Sequence, residues 1–433
     1  MKKTVVVFYS EGYCDQVANA LGEYYKSIAD QVSVLLINEN QYTSFGTRKI
    51  KDNLYKFSMR NIPSFNKFCG YIAYQYNEKF KNKQSKNAKE TEAEPLPSSA
   101  DQKEEAFKGL KRYFRKVDNI FLRFNPDVVV CTTPVSLEKA LKARERLSSS
   151  TQICVAITDY CTPRGLINKG VDKYIVQNAN IKQTLSTFGI KESNIDVLGT
   201  PISSSIMKVF DKTKILDEFN VLNKELPNVV LVSGRCGCAR VIDGFKVLAP
   251  YSNIMNLFVF ANDSTNIHSF VKSYVKSAKI TTNIYVIDKI AEMAKIYSIA
   301  DVIITSPTAG ITYEAAARGI PCVLLRPITQ LEEGNFQYLS TNNLAHIGEK
   351  RSHLVPSVLS LIKDENADGS KIEIKTQPAD RAKAYGDAIL SMINQDTQER
   401  KAQRSAQKKA KAEKEAVEKK EKDKVKKAQK SKK

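Results

Sequence analysis

The chain of 433 residues lacks any long apolar run. Stretches such as "TVVVFY" and "DVVVC" fall far short of the ~20 residues that a membrane-spanning helix needs. The start, "MKKTVVVFYSEGYCD", is charged, but only about five apolar residues precede Ser10 and Glu11. That is poor for a signal peptide and suits a first strand, so a cytoplasmic protein is expected. Histidine is scarce: His268, His346 and His353 stand far apart and form no metal motif. The eight cysteines are scattered, mostly beside apolar runs, where a reduced thiol behaves as a small hydrophobe. Cys236 and Cys238 make a C-x-C pair with no second Cys/His pair at ligand spacing, so no metal is expected. Acidic residues are outnumbered, 47 to 67, leaving a net charge of +20.

That charge is localised. Residues 397–433 hold 16 Lys/Arg against 6 Asp/Glu, half of the excess. Residues 48–89 hold 11 against 2, and the remainder is close to neutral. The basicity therefore belongs to two segments and not to the folded cores. Apolar residues make up 42 % of the chain, which excludes disorder throughout.

Strands and helices alternate along the chain. "TVVVFY", "VSVLLI", "DVVVC", "QICVAIT" and "KYIVQ" are short buried strands. "DQVANALGEYYKSI" places Val17, Ala18, Leu21, Tyr25 and Ile28 at helical spacing. Such β-α-β alternation predicts a mostly parallel, doubly wound sheet. After "IDVLGTPISSSI" the alternation begins again, from "NVVLVSG" to "PCVLL". Two α/β domains are expected, 1–205 and 206–395, followed by a Lys-rich disordered tail over 396–433. Between the second and third strands lies a departure over 41–101, basic and aromatic at first, then polar. Its stretch over about 84–105 is expected to be a flexible insertion.

Three strand–helix joins in the second half attract attention. In "VLVSGRCGCARVID", Gly234 and Gly237 let backbone N–H groups approach a phosphate at a helix start, with Arg235 adding charge. The pattern is neither G-x-G-x-x-G nor a Walker loop, and a plain tight turn reads equally well. In "ITSPTAGITYEAAARGIP", small residues around Gly310 precede Glu314, read as lying in the first helical turn. Its carboxylate either complements the helix dipole or accepts both hydroxyls of a ribose. In "RPITQLEEGNFQYL", a strand is expected to end at Pro327. Gln330, Glu332, Glu333 and Asn335 then follow before a helix, as either a sugar-binding loop or an N-cap. In the first half, "AITDYCTPRG" puts Asp159 at a strand end, a candidate general base or a cap.

Together these pieces resemble a known family. "ITDYCTPRGLINKGVDKYIVQNANIKQTLSTFGIKESNIDVLGTPI" and "MAKIYSIADVIITSPTAGITYEAAARGIPCVLLRPITQLEEGNFQYL" are similar to blocks of the processive diacylglycerol glucosyltransferases and monogalactosyldiacylglycerol synthases. "NIPSFNKFCGYIAYQYNEKF" resembles the family's basic-aromatic segment. The likeness covers most of residues 1–345. It implies a GT-B fold, with two Rossmann-like domains facing across a cleft, a UDP-sugar co-substrate and no other cofactor. It puts Gly234 and Gly237 at the diphosphate, Gly310 and Glu314 at the nucleoside, and Glu332 and Asn335 at the sugar; Arg235 and Gln330 are read from their positions as further donor-binding residues. It implies a lipid acceptor such as diacylglycerol at the first domain.

The basic-aromatic segment fits that picture. Arg48, Lys49 and Lys51 suit an anionic lipid surface, and Phe57, Phe68, Tyr71 and Tyr74 suit the interface. A peripheral enzyme on the inner face of the cell membrane is expected. The chain departs from the family in its first loop, where Tyr13 and Cys14 replace a glycine and the proposed catalytic histidine. A thiol is a poor substitute for imidazole as a neutral-pH base. Pro163 replaces a second histidine, and Leu331 replaces a glutamine, with Gln330 displaced by one. Three alternatives follow: Asp159 suffices as base, the acceptor differs, or the chain binds nucleotide sugar without transferring it. Specific nucleic-acid binding is not expected, because the chain carries no reading motif.

Overall fold

The computed structural model describes residues 2–10, 15–39, 117–232, 238–261, 265–278, 283–287, 293–363 and 378–394. The expectations for Cys14, Gly234, Arg235, Gly237, the basic-aromatic segment, the 84–105 insertion and the tail fall outside these residues.

The first half runs β1 (Lys3–Tyr9), α1 (Asp15–Ser27), β2 (Val32–Asn38), β3 (Val128–Cys131), α2 (Pro134–Arg146), β4 (Gln152–Ile157), β5 (Lys173–Val176), α3 (Ala179–Thr187) and β6 (Ile195–Val197). The second runs α4 (Lys212–Glu218), β7 (Asn228–Val232), α5 (Cys238–Leu248), β8 (Asn256–Phe260), α6 (Thr265–Ser277), β9 (Ile284–Ile287), α7 (Met293–Ile299), β10 (Val302–Thr305), α8 (Ala309–Ala317), β11 (Cys322–Leu324), α9 (Gln330–Thr341), β12 (His346–Ile347), α10 (Arg351–Lys363) and α11 (Pro378–Asn394).

The strands form two six-stranded sheets, ordered β2-β1-β3-β4-β5-β6 and β12-β11-β10-β7-β8-β9. Every pairing is parallel, for example Val5 with Val128 and Ile303 with Val230. Parallel strands are covered on both faces by their crossover helices, which is why "VVVC" and "NVVLV" are apolar without alternation. Both are buried at every position. Apolar clusters lie on the two faces of each sheet. A fifth cluster joins the halves, packing Tyr160 and Ile202 against Ala309, Tyr313, Ala316, Leu324 and Leu339.

Each sheet reverses its strand order once. The first does so between β1 and β3, the second between β7 and β10. Successive connections leave the sheet in opposite directions there and open a crevice at the carboxyl ends of the strands, the usual ligand position in such sheets. Among the described residues, the segment after β3 borders the first crevice and that after β10 borders the second.

Four expectations are corrected. The Glu314 helix begins at Ala309, with Thr308 as N-cap, so Glu314 sits in the second turn, beyond the reach of the terminal dipole. The β11 strand ends at Leu324, before Pro327. Gln330, Glu332, Glu333 and Asn335 lie within α9 and not in a loop ahead of it, because Thr329 caps the helix earlier. Finally, α11 falls in the second expected domain by sequence but packs on the first. Its Tyr385, Ile389 and Met392 share a cluster with Val5, Val7, Val17, Leu21 and Tyr25.

Candidate functional site at the facing sheet ends

The carboxyl ends of the two sheets meet. Asp159 and Tyr160 follow β4, and Gln16 opens α1. Across from them stand the starts of α8 and α9. Asn335 is the central tie. It is 1 % exposed. Its Oδ1 accepts from the Tyr160 N–H at 2.9 Å. Its Nδ2 donates to Asp159 Oδ1 at 2.9 Å and to the Pro307 carbonyl at 3.2 Å. Thus Asp159 and Asn335, read from sequence as separate base and sugar ligand, are brought together as partners. Tyr160 adds a hydroxyl contact with Thr312 Oγ1 at 3.0 Å and stacks on Tyr338 with ring centroids 5.4 Å apart. Burial drives the Tyr160 phenol well above its ordinary pKa, so it stays neutral.

Gly310 lies at the same contact. A Cβ there would stand 2.0 Å from Gln16 Nε2. What approaches this backbone in the structure is therefore a side chain of the first domain. The N-cap Thr308 makes no side-chain capping bond, so the first amides of α8 receive no acceptor from it.

Glu314 is 7 % exposed, and its Oε2 accepts the Tyr297 hydroxyl at 2.7 Å. Burial first, and the Glu314 charge second, push the Tyr297 phenol far up. Glu332 is the N3 residue of a capping box: its Oε2 accepts from the Ile328 and Thr329 amides at 2.8 and 3.4 Å. Its Oε1 is buried without a hydrogen-bond partner, as are Thr305 Oγ1 and Ser306 Oγ. The Thr305 and Ser306 oxygens lie at the carboxyl end of β10, and that of Glu332 in the first turn of α9. Gln330, one residue past the cap, is exposed.

The sequence reading missed Gln16, Tyr160, Thr312 and Tyr338. Tyr160 adjoins a residue already singled out, but the other three carry no local signal. It also missed Glu39, 8 % exposed at the end of β2, whose Oε1 accepts the Thr133 hydroxyl at 2.5 Å. Burial, then the Glu39 charge, raises the neighbouring Cys131 thiol. Cys161 touches the Leu331 carbonyl and Asn335 Oδ1 through sulfur, at 3.7 and 3.6 Å. Burial and nearby Asp159 push its pKa up to about 12, so it remains a thiol. Among the described residues, no helix is long and apolar enough to cross a membrane, and no three His, Cys, Asp or Glu are grouped to hold a metal.

Residues 97–202 match the family described as Monogalactosyldiacylglycerol (MGDG) synthase. A processive diacylglycerol beta-glucosyltransferase of Bacillus licheniformis is 23% identical over 252 residues, 58% of this chain and 64% of that protein. The same enzyme of Bacillus subtilis is 24% identical over 260 residues, 60% and 65% of the two lengths. The chain thus spans just under two thirds of these relatives. Among solved structures, UDP-GlcNAc 2-epimerase from Neisseria meningitidis superposes with a TM-score of 0.60 at 13% identity, covering 90% of this chain and 100% of that one. A glycosyltransferase from Rickettsia africae does so with a TM-score of 0.52 at 12% identity, covering 90% and 96%. The chain has the GT-B fold, and in sequence it resembles the monogalactosyldiacylglycerol synthases and processive diacylglycerol glucosyltransferases.

Proposed function

We propose that the protein is a glycosyltransferase that moves a hexose from a UDP-sugar to a membrane lipid such as diacylglycerol. The observation that carries this reading is the likeness in sequence to the monogalactosyldiacylglycerol synthases and the processive diacylglycerol glucosyltransferases, on a chain with two facing parallel sheets. The start of α8, where Thr308 makes no side-chain capping bond, suits an anionic group, and the sequence reading assigns Gly234, Arg235 and Gly237 to the diphosphate.

In this reading Gly310 and Glu314 lie at the nucleoside, and Gln330, Glu332 and Asn335 at the sugar. Backbone amides and basic side chains stabilise the departing diphosphate. Arg48, Lys49, Lys51, Phe57, Phe68, Tyr71 and Tyr74 rest on an anionic lipid surface at the inner face of the cell membrane. Asp159 helps to hold the two halves of the cleft through Asn335.

The test is incubation with labelled UDP-hexoses and vesicles containing diacylglycerol. The expected product is a glycolipid, and Glu314→Ala is expected to abolish UDP binding. UDP binding with no product from any hexose donor would overturn the transfer reading in favour of a binding protein.

A further inference from the structure

We propose that Glu39 is the general base that takes the proton of the acceptor hydroxyl, an inference that rests on the transfer activity proposed above. Glu39 stands at the carboxyl end of β2 and is buried. Its partner Thr133 stands just past the carboxyl end of β3. Strand β1 lies between those two strands. The Glu39–Thr133 bond therefore spans the end of β1, at the crevice where the first sheet reverses its order. Ligands are expected there for topological reasons.

The carboxylate is held, not merely present. Thr133 is the N-cap of α2, and its hydroxyl accepts from the Ser136 amide at 3.2 Å while donating to Glu39. The neighbouring Thr132 hydroxyl donates to the Phe8 carbonyl at 3.0 Å. A fixed donor on one carboxylate oxygen orients the other, as proton transfer requires.

Asp159 is held in the same way, by Asn335, but it follows β4 at the joint with the second domain and not the point where the first sheet reverses its order. Cys14, in place of the histidine of the resembling enzymes, offers a thiol, a weak base at neutral pH.

In the step, the acceptor hydroxyl oxygen bonds to the anomeric carbon of the sugar. The bond from that carbon to the β-phosphate oxygen breaks, and its electron pair leaves with UDP. The hydroxyl proton passes to Glu39 Oε2, then to water before the next turnover.

Turnover on diacylglycerol vesicles and UDP affinity are measured for the wild-type chain, Glu39→Gln and Glu39→Ala. We expect Glu39→Gln to lower kcat about 10²- to 10⁴-fold with UDP affinity within about two-fold, and formate to restore part of the turnover of Glu39→Ala. If wild type makes glycolipid and Glu39→Gln works within about three-fold of it, the assignment fails and the transfer reading stands. If both variants lose turnover, UDP affinity and Tm together, and formate restores nothing, Glu39 is a brace for α2 and the assignment also fails. A wild-type chain that yields no glycolipid overturns the transfer reading and the assignment with it.

Discussion

At the scale of single residues, Asn335 shows how one amide can serve both halves of a cleft. It has one acceptor and two donor hydrogens, and the structure uses both kinds across the joint. Removing it leaves the Tyr160 amide and the Pro307 carbonyl each short of this partner in a buried place. We expect Asn335→Ala to destabilise the protein by about 1–3 kcal/mol. A double-mutant cycle with Asp159→Ala, followed by denaturant unfolding, should give a coupling of about 0.5–3 kcal/mol. Additivity would show that the Asp159–Asn335 bond contributes nothing. Asp159 and Asn335 were both legible as polar residues beyond strand ends. Their pairing was not, because they are 176 positions apart and no local pattern encodes such a contact.

At the scale of elements, the strands were legible because a parallel sheet buried on both faces demands unbroken apolar runs. Helix starts were less so. The α8 start was expected late because proline and small residues precede the first large side chains. Yet Thr308 takes the extended cap conformation, and Ala309 and Gly310 begin the helix. For α9, the box formed by Thr329 and Glu332 set the start ahead of the polar cluster. The position of α11 depends on Gly386. A Cβ there would stand 2.2 Å from Tyr24 Cδ1, in the ring of a residue on α1. Tyr25 also donates to the Gly386 carbonyl at 3.2 Å. Gly386→Ala should force α11 away from α1 and cost about 1–3 kcal/mol, read as a lowered Tm. An unchanged Tm would place the docking energy of this helix elsewhere.

At the scale of the whole molecule, the chain crosses between its halves twice, once after β6 and again into α11. Several ties anchor these crossings. Arg318 donates to the Met207 and Lys208 carbonyls at 3.0 and 2.8 Å. Arg381, nearly buried on α11, lies over the Tyr313 ring at 5.4 Å. On α1, Glu23 accepts from the Ser203 hydroxyl and the Ser204 amide, joining the first domain to the connecting segment. Burial alone would raise the Glu23 pKa, but the bonds from Ser203, Ser204 and Ser205 outweigh it and hold the carboxyl below its usual range. A depressed folded value means that this stabilisation is complete above the unfolded pKa. It is lost as pH falls through the folded one. The Tm difference between wild type and Glu23→Gln should therefore be constant near neutrality and shrink on acidification. A difference that grows toward low pH would contradict the assignment.

The sequence by itself determined the two α/β units, their parallel sheets and the family the chain resembles. These are written in local periodicity and in short blocks, because burial on two faces and tight strand–helix turns constrain neighbouring residues. Only the tertiary structure decided that Asp159 and Asn335 face each other, that Gln16 closes on Gly310, that α11 returns to the first sheet, and that Glu39 is tied to Thr133 across the end of β1. Each of those depends on which distant strands lie side by side, and residues far apart in the chain carry no mark of that choice until the sheets are built.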